Sequence, residues 1–214
     1  MNQKLGLHEC FLNEDDPYIL FDAWMKEAEK TEPNDPNAFS VATSDSSGQP
    51  DVRMVLLKGI SKTGFIFYTN LEGKKGKDLK ANPKASMCFH WKSLLRQIRV
   101  KGSVKLVDDT VADKYYNSRS YGSRIGAWAS KQSSTMTSRD EFEKRIKEFE
   151  TKYPDQNSVP RPPYWSGWEI SPVEIEFWLD VKDRLHQRLR YKFNGGSWSK
   201  EILYPWSFAF LILL

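Results

Sequence analysis

The sequence predicts a mainly β fold with helices (α+β), in which an antiparallel barrel has its helices packed outside it. About seven segments have strand composition and three or four have helical periodicity, and the two kinds do not alternate as in a βαβ protein. Arg96 to Val107 shows the most regular alternation, with Ile98, Val100, Val104 and Leu106 on one face. Polar residues occupy its other face, so this strand is predicted to have one side in the core and one in solvent.

The chain is predicted to begin with one helix and one strand. Asp16 is a capping carboxylate, and Pro17 suits the first helical turn. The proline-rich stretch 32–36 ends this helix, and Ala38 to Ser44 is predicted as a strand. Apolar residues at helical spacing give the helix one buried face: Leu20, Phe21, Trp24, Met25 and Ala28.

A β-hairpin is predicted next. Two apolar runs, Met54 to Leu57 and Phe65 to Thr69, flank a turn at 61–64 that contains Gly64. A lysine-rich helix from Lys74 to Lys80 follows, and Ala85 to Trp91 is predicted as a further strand.

The C-terminal half is predicted to hold two helices and then three strands. The segment 109–118 looks helical, and Ser138 with Glu141 forms a capping box that opens the second helix. Strands are predicted at 173–179, 184–193 and 198–203, with Asn194-Gly195-Gly196 as the last turn.

The length of 214 residues suits one domain or two small ones. We expect a flexible N-terminal segment at 1–15, a single domain at 16–205 and an atypical apolar tail at 206–214. The tail has no charged residue and is too short to span a bilayer, which needs ~20 apolar residues. No membrane partner is therefore predicted.

Composition favours a packed protein that binds small anions. The net charge is +4, with acids interspersed among the bases, whereas a nucleic-acid binder concentrates its basic charge more strongly. Cys10 and Cys88 stand apart and the three histidines are scattered, so no metal site is predicted. The N-terminus lacks the apolar core of a signal peptide, and a cytoplasmic location is expected.

Cations around the predicted hairpin suggest a ligand with a flat apolar body and a phosphate tail. Arg53 and Lys58 bracket the first apolar run, and four lysines surround Gly73 and Gly76. The alternative interpretation is an edge strand with charged ends beside a solvated loop.

A second cationic group lies near the C-terminus. At a period of two, Arg184, His186, Arg188 and Arg190 would share one strand face, where like charges repel unless water or anions separate them. Arginine is well shaped for bidentate phosphate contacts. The alternative is the solvated face of an edge strand.

A third group is Tyr115, Arg119 and Ser123, which helical spacing would place on one face as a phosphate clamp. A polar helix face is the alternative, and Tyr121-Gly122 could break the helix. Because no nucleophile–base pattern or phosphate-binding glycine motif is present, chemistry is expected to come from an organic cofactor.

Several longer motifs occur in a characteristic order: Asp51–Lys58 (DVRMVLLK), Phe67–Leu71 (FYTNL), Asn82-Pro83, Arg96-Gln97, Tyr115–Arg119 (YYNSR), Ile125–Ser134 (IGAWASKQSS), Glu176-Phe177-Trp178 and Arg184-Leu185-His186. In these motifs and their order the chain resembles the pyridoxine (pyridoxamine) 5′-phosphate oxidase family, FMN enzymes of vitamin B6 metabolism. The resemblance covers roughly 16–205.

The resemblance implies an FMN-binding split β-barrel that forms a homodimer with FMN at the subunit interface. The implied reaction is oxidation of the substrate C4′ alcohol or amine to the aldehyde, with O₂ reduced to H₂O₂. The implied FMN-binding residues are Arg53, Met54, Val55, Leu56, Leu57, Lys58, Tyr68, Thr69, Lys74, Lys75, Gln97, Gln132, Ser133, Trp178 and Arg188. The implied substrate-binding residues are Lys58, Tyr115, Arg119, Ser123, Arg184 and His186, of which Arg184 and His186 are also the implied catalytic residues.

The sequence departs from the family pattern at a few positions. Leu179-Asp180 stands where the family usually has Gln-Gly, Gln187 replaces an Asp, and Ile202 replaces an Arg. The alternative function is a non-catalytic split-barrel protein that binds flavin or pyridoxal phosphate. The presence of the substrate-binding residues favours the enzyme.

Overall fold

The computed structural model describes residues 5–205. The predicted apolar tail at 206–214 and the first four residues lie outside this range. The described chain contains five α-helices and nine strands, with a 3₁₀ turn at Lys182–Arg184. The helices are α1 Pro17–Thr31, α2 Lys74–Ala81, α3 Asp109–Asn117, α4 Tyr121–Ala129 and α5 Arg139–Lys152. The strands are β1 Ala38–Ser44, β2 Pro50–Leu56, β3 Gly59–Ile60, β4 Phe65–Asn70, β5 Lys84–Trp91, β6 Arg96–Leu106, β7 Trp165–Leu179, β8 Gln187–Phe193 and β9 Trp198–Leu203.

The described strands form one mainly antiparallel sheet, curled into a half-barrel with the order β2-β1-β5-β6-β7-β4-β3. β8 pairs with β7, and β9 extends β8. Strand β7 is central because β6 lies along one edge, while β4 and β8 follow one another along the opposite edge. The predicted α+β class and split-barrel architecture are thus confirmed.

The core is an aromatic cluster between helix α1 and the concave side of the sheet. Phe21 on α1 contacts Phe65 with ring centroids 4.9 Å apart, and Trp24 meets Phe177 at 5.2 Å. The Asp16 carboxylate accepts a hydrogen bond from the Tyr18 backbone N–H, as the predicted N-cap should. Burial of such large rings provides most of the hydrophobic stabilisation of a domain.

Part of the predicted flexible N-terminal segment contacts this core. Phe11 is buried against Trp24, with ring centroids 5.3 Å apart, and the Trp24 Nε1–H donates to the Cys10 carbonyl at 2.7 Å. These contacts join residues 10 and 11 to helix α1.

The predicted turn at 61–64 does close a hairpin, but its first strand is Gly59–Ile60 and not the apolar run Met54 to Leu57. Strand β2 pairs with β1, whereas β4 pairs with β7 and with the two-residue strand β3. Local sequence does not reveal this partner because β7 lies about 100 residues further along the chain.

Three other elements differ from prediction. Strand β7 begins at Trp165 rather than Val173, and β8 begins at Gln187 rather than Arg184. Helix α4 was not predicted as a separate helix. In β6, Leu106 is 45% exposed, whereas Val104 on the same face is buried, because the strand ends at Leu106.

Within residues 5–205, no helix is long and apolar enough to cross a membrane.

Candidate functional site

A cavity of about 490 Å³ lies where strands β2 and β4 meet helices α3 and α4. It brings together residues that are far apart in sequence, many of them named by the resemblance. Its lining includes Met54, Val55, Leu56, Lys58, Tyr68, Thr69, Lys75, Tyr115, Arg119, Ser123 and Gln132 among the predicted residues, and Asn70, Gly126, Ala127, Ser130 and Trp165 besides. A larger groove of about 550 Å³ between β1, β5 and β6 contains none of the predicted site residues.

Lys75 is a buried cation at the base of this cavity. Its Nζ donates to Gln132 Oε1 at 2.8 Å and to Thr69 Oγ1 at 3.1 Å, and no carboxylate of the described chain forms an ion pair with it. Burial lowers the pKa of Lys75, and the positive charge of Arg53 lowers it further. A buried ammonium with only neutral acceptors is a binding position for an anion.

Asp78 organises the neighbouring cations Arg53 and Lys74. It is buried and accepts from Thr43 Oγ1 at 2.7 Å and from Lys74 Nζ at 3.0 Å. Arg53 Nη2 lies 3.7 Å from Asp78 and also contacts Asp51, while Arg53 Nη1 donates to Thr43 Oγ1 at 2.7 Å. Hydrogen bonding to Asp78 raises the pKa of Lys74.

The N-terminus of helix α2 faces the same region. Its N-cap is Gly73, which supplies no side-chain hydrogen bond to the first turn. A Cβ at Gly73 would come within 2.7 Å of Gln132 Oε1, so the absence of a side chain lets Gln132 approach Lys75. An uncapped helix N-terminus also carries partial positive charge and favours anions.

Aromatic rings and Arg119 form the wall on the α3 side. Tyr68 stacks on Tyr115 with centroids 4.0 Å apart, and on Trp165 at 5.3 Å. The Arg119 guanidinium lies 4.8 Å from the Trp165 ring centroid, and its buried Nη1 has no hydrogen-bond partner. Burial lowers the pKa of Arg119 and raises that of Tyr115.

The predicted clamp of Tyr115, Arg119 and Ser123 does meet at one cavity, although the single helix assumed for it is wrong. Helix α3 ends at Asn117, and Ser120 caps α4 by accepting from the Ser123 backbone N–H. The break turns the chain so that residues from both helices line the same space.

The other predicted residues form a second cluster at the far end of β7. Gln97, Trp178 and Arg188 are cross-strand neighbours on β6, β7 and β8. The His186 ring lies 4.7 Å from the Trp178 ring, and Arg184 is in the 3₁₀ turn that precedes β8.

The predicted four-cation strand face is wrong. Arg184 and His186 precede β8, and Arg184 has a φ of 61°. Arg188 and Arg190 are on the strand, but carboxylates separate them: Arg188 Nε lies 2.8 Å from Glu176, and Arg190 Nη2 lies 2.6 Å from Glu201. Glutamates on the neighbouring strands β7 and β9 offset this charge.

The cavity and the second cluster are well separated in one chain. Trp165 lines the cavity at one end of the 15-residue strand β7, and Trp178 lies near the other end. At ~3.3 Å per residue, about 40 Å of strand path lies between them, which no side chain can bridge.

Four predicted FMN contacts fall outside both groups, and one of them, Arg53, is held between Asp51 and Asp78. Leu57 is buried in the core, Lys74 is paired with Asp78, and Ser133 lies in the 130–138 loop with a φ of 68°. Ser133 lines a smaller cavity against helix α5. Lys74 and Ser133 each adjoin a cavity residue, Lys75 and Gln132, respectively.

Sequence reasoning missed Trp165, Asn70 and Asp180. Trp165 stacks with Tyr68 and contacts Arg119, and Asn70 donates to the Ser130 carbonyl at 3.4 Å. Asp180 contacts His186. The first half of β7 is rich in Trp, Ser and Gly, and that composition gave no strand signal.

The donor set fits a phosphate ester with a flat ring better than a metal. An unpaired buried Lys75, an unsatisfied Arg119 Nη1 and an uncapped α2 N-terminus all favour bound anions. Stacked aromatic rings offer flat apolar surface beside them. No group of three or more His, Cys, Asp or Glu side chains within residues 5–205 could hold a metal ion.

Comparisons with known proteins agree with a site for a phosphate ester that carries a flat ring. Residues 25–153 match the family model described as pyridoxamine 5′-phosphate oxidase, and residues 165–205 match the pyridoxine 5′-phosphate oxidase C-terminal dimerisation region. A pyridoxine/pyridoxamine 5′-phosphate oxidase of Pelagibacter ubique is 59% identical over 96% of this chain and 100% of its own length. A Brucella canis protein of the same name is 54% identical over 91% of this chain and 97% of its own length.

Solved structures show the same architecture. PhzG from Burkholderia lata 383, in complex with tetrahydrophenazine-1-carboxylic acid, superposes with a TM-score of 0.86 at 28% identity and covers 96% of this chain and 100% of its own. A pyridoxamine 5′-phosphate oxidase-related, FMN-binding protein from Nostoc punctiforme has a TM-score of 0.71 at 18% identity, covers 89% of this chain and 98% of its own, and shows the fold alone. The chain belongs to the pyridoxine/pyridoxamine 5′-phosphate oxidase family, whose members depend on FMN and form homodimers.

Proposed function

We propose that this chain oxidises pyridoxine 5′-phosphate or pyridoxamine 5′-phosphate to pyridoxal 5′-phosphate, with FMN as cofactor and O₂ as electron acceptor. The observation that carries the proposal is the convergence of predicted FMN and substrate residues on one cavity with an unpaired buried cation. The 59% identical relative, which is matched over its full length, bears the name of this activity.

The cavity residues divide into two anion-binding groups. Lys75 and the α2 N-terminus would hold the FMN phosphate, and Asp78 would keep Arg53 and Lys74 beside them. Lys58, Tyr115, Arg119 and Ser123 would hold the substrate phosphate at the α3–α4 junction. Met54 to Leu56 and Tyr68 would flank the flat rings.

The second cluster would complete the site from the partner subunit. Arg184 and His186 are proposed to orient the substrate ring, and Gln97, Trp178 and Arg188 to contact the cofactor. Since one chain holds the two groups at opposite ends of β7, a homodimer that joins one chain's cavity to its partner's cluster is the arrangement that unites them.

The reaction requires little covalent chemistry from the protein. Bound FMN would supply the two-electron acceptor for oxidation at substrate C4′, with O₂ as the final acceptor and H₂O₂ as its product. The alcohol substrate loses two hydrogens to give the aldehyde, whereas the amine also consumes water and releases ammonia. The protein's contribution is to hold C4′ in place, exclude bulk water and bind both phosphates.

Anaerobic mixing of the FMN-loaded protein with each substrate tests this proposal. We expect the visible flavin band to bleach, and admitted O₂ to restore it with equal amounts of pyridoxal 5′-phosphate and H₂O₂. Unphosphorylated pyridoxine is the control and should bleach the band much more slowly. A band that persists with both phosphorylated substrates would contradict the proposal and indicate a non-catalytic flavin-binding protein.

A cytoplasmic location is proposed as well. Cys10 and Cys88 are both free thiols, and burial raises the pKa of each, as expected for cysteines that stay reduced. Cell fractionation with an antibody to the protein checks this, and recovery with a secreted fraction would contradict it.

A further inference from the structure

His186 has a carboxylate partner that neither the family motifs nor the charge pattern points to. Its Nδ1 lies 2.9 Å from Asp180 Oδ1. The His186 side chain is mostly buried, whereas Asp180 is half-exposed. Asp180 is also a position where this sequence departs from the family pattern.

Both residues are held by their surroundings. The Asp180 backbone N–H donates to the Leu95 carbonyl at 2.8 Å, which fixes the start of the turn after β7. The His186 ring packs on Trp178 with centroids 4.7 Å apart. Between them, Asp183 and Arg184 adopt left-handed φ values of 60° and 61°, which close the turn tightly enough for Asp180 to meet His186.

A second group competes for the same ring nitrogen. The Val181 backbone N lies 3.3 Å from His186 Nδ1, and its N–H can donate a hydrogen bond there only if Nδ1 carries no proton. The Asp180 carboxylate requires a proton on Nδ1 instead. The carboxylate contact is shorter and involves a charged acceptor, so it is the stronger of the two.

We propose that Asp180 is a positioning residue that keeps the proton of His186 on Nδ1 and thereby directs Nε2 toward the substrate C4′ group. The inference rests on the proposed function, because it assigns His186 to the oxidation. Asp180 itself would touch neither substrate nor FMN. A fixed tautomer determines whether the free nitrogen can accept a hydrogen bond from the C4′ hydroxyl or amine.

The protonation of His186 is directly observable. We would record ¹⁵N histidine spectra of the FMN-loaded dimer; there are only three histidines, and His186→Gln identifies the signal. We expect a protonated Nδ1 in the wild type. In Asp180→Asn, the side-chain amide can donate to Nδ1 together with Val181 N–H, and the proton should move to Nε2. Asp183→Asn is the matched control, since Asn tolerates left-handed φ, and it should leave the spectrum unchanged.

Anaerobic reduction kinetics test the role in the reaction. Asp180→Asn should slow flavin reduction by about 10- to 100-fold, because misplacing one catalytic contact has effects of this size. FMN affinity should stay within about twofold of wild type. In the His186→Ala background, the same substitution should cause no further loss, as coupled residues behave non-additively.

Three results would overturn the inference. The first is a His186 Nδ1 without a proton in the wild type, and the second is flavin reduction in Asp180→Asn as fast as in Asp183→Asn. The third is an equal loss of reduction rate when Asp180→Asn is introduced into the wild type and into His186→Ala. Failure of the proposed function has a different signature, because the wild-type flavin would then not be reduced at all. The spectra would still decide whether Asp180 sets the His186 tautomer.

Discussion

Lys75 illustrates how one residue can oppose stability and support binding. Its ammonium is buried beside neutral acceptors and has no ion-pair partner within residues 5–205, so in the protein without FMN its desolvation is offset only in part, by the charge of Asp51. A bound phosphate would supply the missing negative charge. Sites of this kind exchange stability for function.

Lys75→Met should therefore stabilise the FMN-free protein and weaken FMN binding. We expect about 1–2 kcal/mol of added stability, which raises Tm by about 2–8 °C. The FMN Kd should rise by roughly 10- to 100-fold, the effect of losing a charge-assisted contact. Calorimetry and flavin titration measure the two effects. Lys77→Met, on the exposed side of the same helix, is the control, and a loss of stability in Lys75→Met would contradict this account.

The lowered pKa of Lys75 has a pH signature of defined sign. Because the folded state disfavours the charged form, the unfolded state binds more protons, and stability rises with pH through this window. The stability gap between Lys75→Met and wild type should thus be full below the folded-state pKa and shrink as pH approaches the ordinary value of 10.5. Denaturant unfolding of both FMN-free proteins across this range is the measurement. If the stability difference between Lys75→Met and wild type grew as pH rose, it would contradict a lowered pKa for Lys75.

Arg119 should distinguish substrate binding from cofactor binding. Its unsatisfied Nη1 and its place over Trp165 leave the guanidinium available for a phosphate. Arg119→Ala should raise KM by roughly ten- to a hundredfold, equivalent to ~1.5–3 kcal/mol, with FMN retained. Arg119→Lys keeps the positive charge but lacks the planar guanidinium, so its KM should lie between those of the wild type and Arg119→Ala. Loss of FMN at an unchanged KM would show that Arg119 binds the cofactor and not the substrate.

Single residues were predictable where a motif named them, and otherwise they were not. Lys75 and Arg119 belonged to the predicted cation groups and to the resemblance as well, and the cavity contains both. Trp165 lies in a segment without a recognisable pattern, and Asp180 stood out only as a departure from the family pattern. The contacts of Trp165 with Tyr68 and of Asp180 with His186 are visible only in the fold.

Among the helices and strands, the boundaries that were predicted correctly are those set by the residues next to them. The Asp16 cap begins α1, and β1 matches the predicted strand. Strand pairing was not predictable from adjacency, as β4 joins β7 instead of β2. The start of β8 was also misplaced, because two residues with positive φ make a turn out of a segment that alternates like a strand.

The α2 N-terminus offers a test that leaves every charge in place. Gly73→Ala is compatible with a φ of −67°, but its Cβ would displace Gln132 from Lys75. We expect FMN binding to weaken by about 5- to 30-fold, equivalent to 1–2 kcal/mol, with little change in Tm. Gly122→Ala, where a Cβ meets no atom within 4 Å, serves as control. Equal FMN binding in both variants would remove Gln132 and Gly73 from the cofactor site.

For the whole molecule, strand β7 explains why one chain holds two incomplete groups. It pairs with β4 beside the cavity and with β8 beside the second cluster, so the two groups are fixed at opposite ends. Neither end holds both the phosphate-binding cations and His186. Composition and periodicity cannot show such a division, since it depends on how two copies of the chain meet.

Mixed dimers test this central claim most directly. Arg119→Ala damages only the cavity and His186→Ala only the second cluster, so each homodimer should be impaired at both sites. If each site combines both chains, a dimer of the two variants has one intact site, and a random mixture should regain about a quarter of wild-type activity. As control, a wild-type chain paired with an Arg119→Ala/His186→Ala chain should have no intact site. Recovery in the control pair, with none in the mixed pair, would show that each site is built within one chain and contradict the account.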